Sequence, residues 1–437
     1  MHATHSQPAA HDLLSFAEGI HVVSNHAAAI LQSTRPSQQI VPLADALGRV
    51  LAAPILADRD QPPFARSTRD GYAVRAQDVH SDASLRVLGQ IRAGQCWPAN
   101  QPALAANEAI EIMTGAPLPA GADAVLMIEH TRTGAAENTI EPTPGRTLSP
   151  GMHVVARASE AHAGEELIAS GTRIHSAQIA LAASCGLDRL PVFPQPRVAI
   201  LATGDELVEP GHPRPQIAEQ QIFNSNSYAT AALVSVAGAI PLRLPIARDT
   251  LESIHTGIQS AREQQPDLLL LTGGVSMGKY DLVETVLAEL GAKFFFTGLR
   301  IQPGKPLVFG RLPARDGTNG AQPALYFFGL PGNPISTMVT FTLFVRPLLA
   351  ALAGERGWQH PFALARLTES VHPLHGLTRF LPARLDAIAA AEPTVTPFAW
   401  RGSGDLAAQA RANCLLVAPE SQPALAAGDW MRILPMQ

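Results

Sequence analysis

From Arg197 onward, short apolar runs alternate with amphipathic stretches, and this alternation confines the chain more than any other feature. Strands are expected at Val198 to Ala202, Pro241 to Ile246, Leu268 to Leu271, and near Phe294 and Tyr326. Between them, helices are expected around Tyr228 to Val236, at Leu251 to Ile258 and along Leu282, Val283, Val286, Leu287 and Leu290, with a further helix opening at Pro334. Strand and helix taken in turn predict a parallel sheet with right-handed crossovers and helices on its faces.

In an open parallel sheet, ligands bind beyond the carboxyl ends of the strands. Three unusual loops fall at such ends: Thr203-Gly204-Asp205-Glu206-Leu207, then Thr272-Gly273-Gly274 running through Ser276 to Asp281, then Gly329-Leu330-Pro331-Gly332-Asn333-Pro334. Glycine lets backbone N–H groups approach a ligand, and a helix that opens next supplies unsatisfied donors and partial positive charge, which suits phosphate or another oxyanion. Glu206, Asp249 and Asp281 stand on or beside these strand ends as hard oxygen ligands suited to Mg2+. Without a cation they would repel an anionic ligand, so a divalent ion is expected in the active state. Gly273 to Lys279 spells GxxxxGK, but Tyr280 follows where a phosphate-binding loop of that kind needs a small hydroxyl, and the loop follows an inner strand. A strand-ending turn is the plain alternative for any one loop taken alone.

At 437 residues the chain is too long for one core and is expected to fold as about two to four domains. The α/β domain is expected over 197–350. An N-terminal mixed region, 1–190, carries an inserted β-rich lobe at about 75–155, where short strands are broken by glycine and proline, and a small β domain occupies 357–437. Apolar residues from Leu14 to Leu31 predict a helix, Val41 to Leu51 a second short one, and Pro191 to Pro196 a linker. The fold class is thus α/β plus β, multidomain, around a central parallel sheet.

A formal charge of -5 gives no footprint for nucleic acid or an anionic membrane, so a small-molecule substrate is expected. Cys96, Cys185 and Cys414 form no CxxC pair, which argues against a disulfide framework or a zinc site. No basic leader precedes an apolar run and no uncharged run of about 18 apolar residues occurs, so the cytoplasm is the expected place.

The chain resembles the molybdopterin molybdotransferases, the family of MoeA and the gephyrin E domain, along nearly its whole length. The carriers are DRDQPPFARSTRDGYA (Asp58 to Ala73), EIMTGAPLPAGADAV (Glu111 to Val125), TGDEL, GGVSMGKYD, RIQPGKP (Arg300 to Pro306) and GLPGNPIS (Gly329 to Ser336). The resemblance implies a molybdopterin-binding-like α/β domain within a four-lobed homodimer with shared sites. It implies Mg2+-dependent insertion of molybdate into the dithiolene of adenylylated molybdopterin with release of AMP, and transient contact with a molybdopterin adenylyltransferase. By motif, Glu206, Asp249 and Asp281 would surround metal and phosphate, Asp70 and Thr114 would reach in from the partner subunit, and Pro331 and Pro334 would shape the pterin-side loop. Lys305 would meet phosphate or oxyanion, and Ser403 matches a polar loop of the C-terminal lobe. Gln302 stands where some relatives carry lysine, with Arg300 as a candidate to compensate, and Glu160 replaces an expected aspartate. From the residues themselves, Asp70 and Thr114 read equally as turn formers before Gly71 and Gly115. A pterin-binding scaffold without chemistry and a related pterin or nucleotide adenylyltransferase are the rival classes.

Overall fold

The computed structural model describes residues 13–33, 38–211, 213, 218–274, 282–317, 320–372, 374–387, 392–420 and 424–436. The first helix, α1 (Phe16–Gln32), begins at a capping box: Ser15 Oγ accepts from the Glu18 N–H, and the Glu18 carboxylate accepts from the Ser15 N–H at 2.7 Å. Residues 43–51 form no second α-helix. Gln39–Pro42 is instead a strand, paired antiparallel with Arg189–Val192, followed by one 3-10 turn, Leu43–Asp45. Pro42 cannot donate to a helical ladder, and the pairing claims the backbone ahead of it. The same pairing absorbs Pro191 and Val192, the start of the expected linker.

The inserted lobe is a six-stranded sheet in the order Ala124–Met127, Gly71–Val74, Glu108–Ile112, Leu85–Ile91, Thr139–Pro142, Thr131–Thr133. It starts at Gly71, slightly before the glycine- and proline-broken stretch that announced it.

The α/β domain is built on β1 (Arg197–Ala202), β2 (Ile240–Arg243), β3 (Leu268–Thr272), β4 (Lys293–Phe296), β5 (Val308–Leu312) and β6 (Leu325–Leu330), in the sheet order β2-β1-β3-β6-β5-β4. The first four of that order are parallel. β5 runs antiparallel to both neighbours, because β5 and β6 follow one another in the chain without a crossover helix between them. Side chains alternate across the sheet with period two. Val198, Ile200, Leu268 and Leu270 face one core, Ala199, Leu201, Leu269 and Leu271 the other, and all eight are buried. Helices α2 (Ser225–Val236), α3 (Leu251–Glu263) and α4 (Leu282–Glu289) cover the two faces, followed by α5 (Pro334–Thr340) and, through one π turn at Phe341–Val345, α6 (Arg346–Leu352).

Pro334–Leu352 is apolar and long enough to cross a membrane, yet 78% of its apolar window is buried inside the protein, as the central helix of the first core. That core extends beyond the domain, since Val23 of α1 and Phe380, Leu415, Val417 and Leu434 of the C-terminal lobe belong to it. Gly19 of α1 lies so close to Leu299 that a Cβ would sit 2.8 Å from its methyl carbon, so any larger residue must displace the Leu299 side chain. Arg173 of the N-terminal region and Glu355, just past α6, form a largely buried ion pair at 2.7 Å that ties the lobes together.

In the C-terminal lobe, strands Thr378–Asp386, Thr394–Pro397, Ala363–Leu367, Trp430–Pro435 and Cys414–Ala418 pair in that order, and the last pairs back to the first, closing a barrel. Ile301–Gln302, from the RIQPGKP segment, adds to its edge beside Thr378. A short helix, Leu406–Arg411, lies in this lobe where no helical periodicity is legible.

Phe344 links these parts, with its ring 6.0 Å from that of Phe16 and 6.3 Å from that of Phe296. Phe344→Ala should cost about 3–5 kcal/mol, read as a lower denaturant midpoint of the α/β domain with α1 released. An unchanged midpoint would contradict this account of the shared core.

Candidate functional site

β1, β3 and β6 lie side by side in the order β1-β3-β6, and Ala202, Thr272 and Leu330 are register partners at their carboxyl ends. Two more bonds carry the ladder past the strands, Thr203 N–H to the Thr272 carbonyl (2.9 Å) and Gly273 N–H to the Leu330 carbonyl (3.3 Å). All three loops therefore leave the sheet together, around a cleft of about 980 Å3. Thr203, Gly204 and Glu206 line it from the first loop, Gly273 and Gly274 from the second, and Pro331, Gly332, Asn333 and Pro334 from the third. Gly273 has φ +90°, and a Cβ there would lie 2.5 Å from the Thr203 carbonyl oxygen, so glycine is what lets the first two loops touch. The third loop is stitched to the helix it opens, since the Thr337 hydroxyl donates to the Pro331 carbonyl at 2.6 Å.

Asp249 joins the cleft from the turn before α3. It pairs reciprocally with Asp205: each backbone N–H donates to the other's carboxylate at 3.3 Å. Asp205 itself faces Arg248, 4.0 Å away, and does not line the cleft. Two carboxylates, Glu206 and Asp249, are thus presented to the cleft among the described residues. The Thr203 and Thr272 hydroxyls, on residues 3% and 2% exposed, have no hydrogen-bond partner among the described residues. Such unpaired buried groups cost about 1–3 kcal/mol each, and both belong to residues of the cleft lining.

Asp281 and Ser276 lie outside the described residues; Leu282, which follows Asp281, lines the cleft. Lys305 is exposed and not part of the lining, although its neighbour Pro306 is. Arg300 does not line the cleft: its guanidinium donates to the Leu13 carbonyl at 2.5 Å and lies 3.9 and 3.8 Å from Glu18 and Glu420. Glu160 lies 3.5 Å from Arg66 in the N-terminal region. Ser403 accepts the Ile335 N–H at 3.0 Å, so the C-terminal lobe abuts the start of α5, and Gly404 and Leu406 complete the cleft wall. Asp70 and Thr114 come together elsewhere. Both the N–H (2.7 Å) and the hydroxyl (2.8 Å) of Thr114 donate to Asp70 Oδ1, on the inserted lobe, and neither residue lines the cleft.

Ile222, Phe223, Asn224, Ser225 and Asn226 also line the cleft, and sequence reasoning passed them by. The signal was present: Asn224-Ser225-Asn226 is a helix-start composition ahead of an apolar stretch, and Asn224 does cap α2, accepting from the Ser227 N–H at 3.2 Å.

A molybdopterin molybdenumtransferase of Nostoc sp. is 35% identical over 404 residues, covering 91% of this chain and 88% of the relative. The chain belongs to the MoeA family. Its residues 14–186 match the MoeA N-terminal region (domain I and II), 199–351 a probable molybdopterin binding domain, and 364–436 the MoeA C-terminal region (domain IV). Molybdopterin molybdenumtransferase 2 of Mycobacterium tuberculosis is 33% identical over 94% of this chain and 98% of its own length. A crystal structure of a molybdopterin biosynthesis MoeA protein from Pyrococcus horikosii superposes with a TM-score of 0.70 at 30% identity, covering 98% of this chain and all of that one. MoeA membership places the chain in molybdenum cofactor biosynthesis, and all of the cleft lining except Gly404 and Leu406 lies within the molybdopterin-binding match.

The Thr114 N–H and then its hydroxyl hold the Asp70 carboxyl below its ordinary range. A depressed folded-state pKa means the stabilisation is fully present above the unfolded value of about 3.9 and is lost as pH falls through the folded value. Thr114→Val removes the hydroxyl and keeps the N–H, so the Asp70 titration, followed by carboxyl carbon NMR, should move part of the way upward. An unmoved midpoint would contradict the bond's role.

Proposed function

We propose that this chain is a molybdopterin molybdenumtransferase that takes adenylylated molybdopterin and molybdate and yields molybdenum-loaded molybdopterin and AMP. The observation that carries the reading is the convergence of three glycine-bearing strand-end loops and two carboxylates on one cleft, within a chain of the MoeA family. The opening of α2 brings Ser225 and Asn226 to the cleft, and first-turn N–H groups of a helix suit phosphate oxygens; at α5 Pro334 has no N–H and that of Ile335 is taken by Ser403. The rigid prolines Pro331 and Pro334 fix the wall against which a flat ring system can lie. The dithiolene sulfurs that receive molybdenum belong to the substrate, and no cysteine stands among the described residues of the lining.

Mg2+ fits the donor set. Glu206 and Asp249 offer oxygen alone, and magnesium usually takes one or two carboxylates with water and phosphate oxygens filling its other positions. Among the described residues no three His, Cys, Asp or Glu side chains gather into a metal cluster, so the protein's share is limited to those two unless Asp281 joins them. When bound there, the ion would offset the negative charge of the phosphates and of the carboxylates. The chain's own residues would orient the diphosphate with loop amides and hold molybdate beside the dithiolene, with Gly404 and Leu406 walling off one end.

Asp70 and Thr114 stand apart from their own cleft, so a role for them in the reaction requires a second copy, and a homodimer with shared sites is the assembly we infer. A molybdopterin adenylyltransferase is the class of enzyme that supplies the substrate, and the cytoplasm is where we place the reaction.

The test is AMP release from adenylylated molybdopterin and Mg2+, with and without molybdate. Molybdate-dependent release is expected, lowered by about 10²-fold or more in Asp249→Asn and in Asp281→Ala, the size typical of lost preorganised electrostatics. Tight binding without release under any metal would instead make the protein a scaffold.

A further inference from the structure

Glu209 stands just beyond the parallel pair Leu207–Val208 and Ile222–Phe223, outside the cleft lining. Its carboxylate gathers three donors: Asn224 Nδ2 on Oε1 at 3.0 Å, and the Tyr228 hydroxyl and Arg243 Nη2 on Oε2 at 3.0 and 2.8 Å. Arg243 also reaches back to α2, donating from Nε to Ser227 Oγ at 3.0 Å, and its guanidinium lies 3.6 Å from the Tyr228 ring centre. Burial would push the Glu209 carboxyl up, but the bonds from Arg243, Asn224 and Tyr228 and the Arg243 charge hold it below its usual range. It therefore acts only as an acceptor at neutral pH.

Two of the three donors, Asn224 and Tyr228, cap α2 or lie in its first turn, and Arg243 grips that turn through Ser227. Asn224 is 1% exposed, and because its amide nitrogen is taken by Glu209, its oxygen is turned to the Ser227 N–H as the helix cap. Two residues on, Asn226 Nδ2 donates to the Gly332 carbonyl at 2.6 Å, tying the same turn to the third loop. Ser225, Asn226 and Gly332 all line the cleft. A single carboxylate outside the cleft thus fixes the cap, the cap fixes the turn, and the turn holds both a wall and the neighbouring loop.

We propose that Glu209 is a positioning residue for substrate binding: it holds the first turn of α2, and through Asn226 the Gly332 loop, in the arrangement that receives the adenylylated pterin. The proposal rests on the transferase reading for its substrate. Neither the Glu206 nor the Asp249 carboxylate bonds to these side chains, and the main-chain bonds from Ile222 to Glu206 and from Asn224 to Val208 hold the first loop without them, so loosening the network weakens binding and leaves the chemical step nearly intact.

Glu209→Gln keeps the shape, but its amide nitrogen must face a donor, which breaks at least one of the three bonds. Glu209→Asp keeps the charge. In full-length protein with adenylylated molybdopterin, Mg2+ and molybdate, Glu209→Gln should raise KM about tenfold with kcat within about threefold, a loss in keeping with a small displacement of a binding wall. Glu209→Asp should recover most of the loss, and the thermal midpoints of all three proteins should stay close. Calorimetric titration with AMP reads the same wall without turnover and should show a similar weakening. An unchanged KM in an active wild type, a fall confined to kcat, or no recovery in Glu209→Asp would overturn the proposal. A wild type that binds AMP but shows no molybdate-dependent release would sink the transferase reading alone. In that case AMP affinity decides: weakened by Glu209→Gln, the positioning role stands; unchanged, or absent in the wild type, it falls.

Discussion

The register in which Leu268–Thr272 pairs with Val198–Ala202 on one side and Tyr326–Leu330 on the other sets the level at which three loops leave the sheet. Every strand residue of that central element is buried, so a slip by one position would turn its leucines from one core to the other and misplace Thr272 and Gly273. The cleft is a consequence of this register. Two glycine-bearing loops meet because Gly273 has no Cβ to strike the Thr203 carbonyl, and the third is held to α5 by the Thr337 hydroxyl.

That central strand is stable because its first face is covered by more than its own domain. Residues of α1 and of the C-terminal barrel enter the same core, and Arg300 and the strand Ile301–Gln302 bind both neighbours at once through main-chain and charged contacts. The lobes are therefore coupled parts of one structure, and the C-terminal lobe's Gly404 and Leu406 reach the cleft as a result.

Much of this was legible in the sequence because the α/β signals are local. Apolar runs such as Leu268 to Leu271 and turn glycines such as Gly273 and Gly274 mark strand ends wherever they occur. The strand at Val308–Leu312 escaped notice, and with it the reversed direction at one edge, because a strand that follows its neighbour without a helix leaves no alternation to read. The helix Leu406–Arg411 is too short for periodicity to show. At the cleft, Thr203, Gly204, Glu206, Asp249, Pro331 and Pro334 could be assembled from motif and strand-end position. Asn224 to Asn226 could not, since their value comes from tertiary contacts with Glu209 and Gly332. The same limit applies to Arg300: its charge is visible in the sequence, and its engagement with Leu13, Glu18 and Glu420 is not.

The claim on which the rest turns is that the three strand-end loops form one ligand site. Hydrogen–deuterium exchange of the full-length protein, with and without AMP and Mg2+, tests it most directly. The account predicts joint protection of peptides containing 203–208, 272–274 and 329–335 on ligand addition, with the barrel strands unchanged. Protection confined to other surfaces, or to one of the three segments alone, would contradict it.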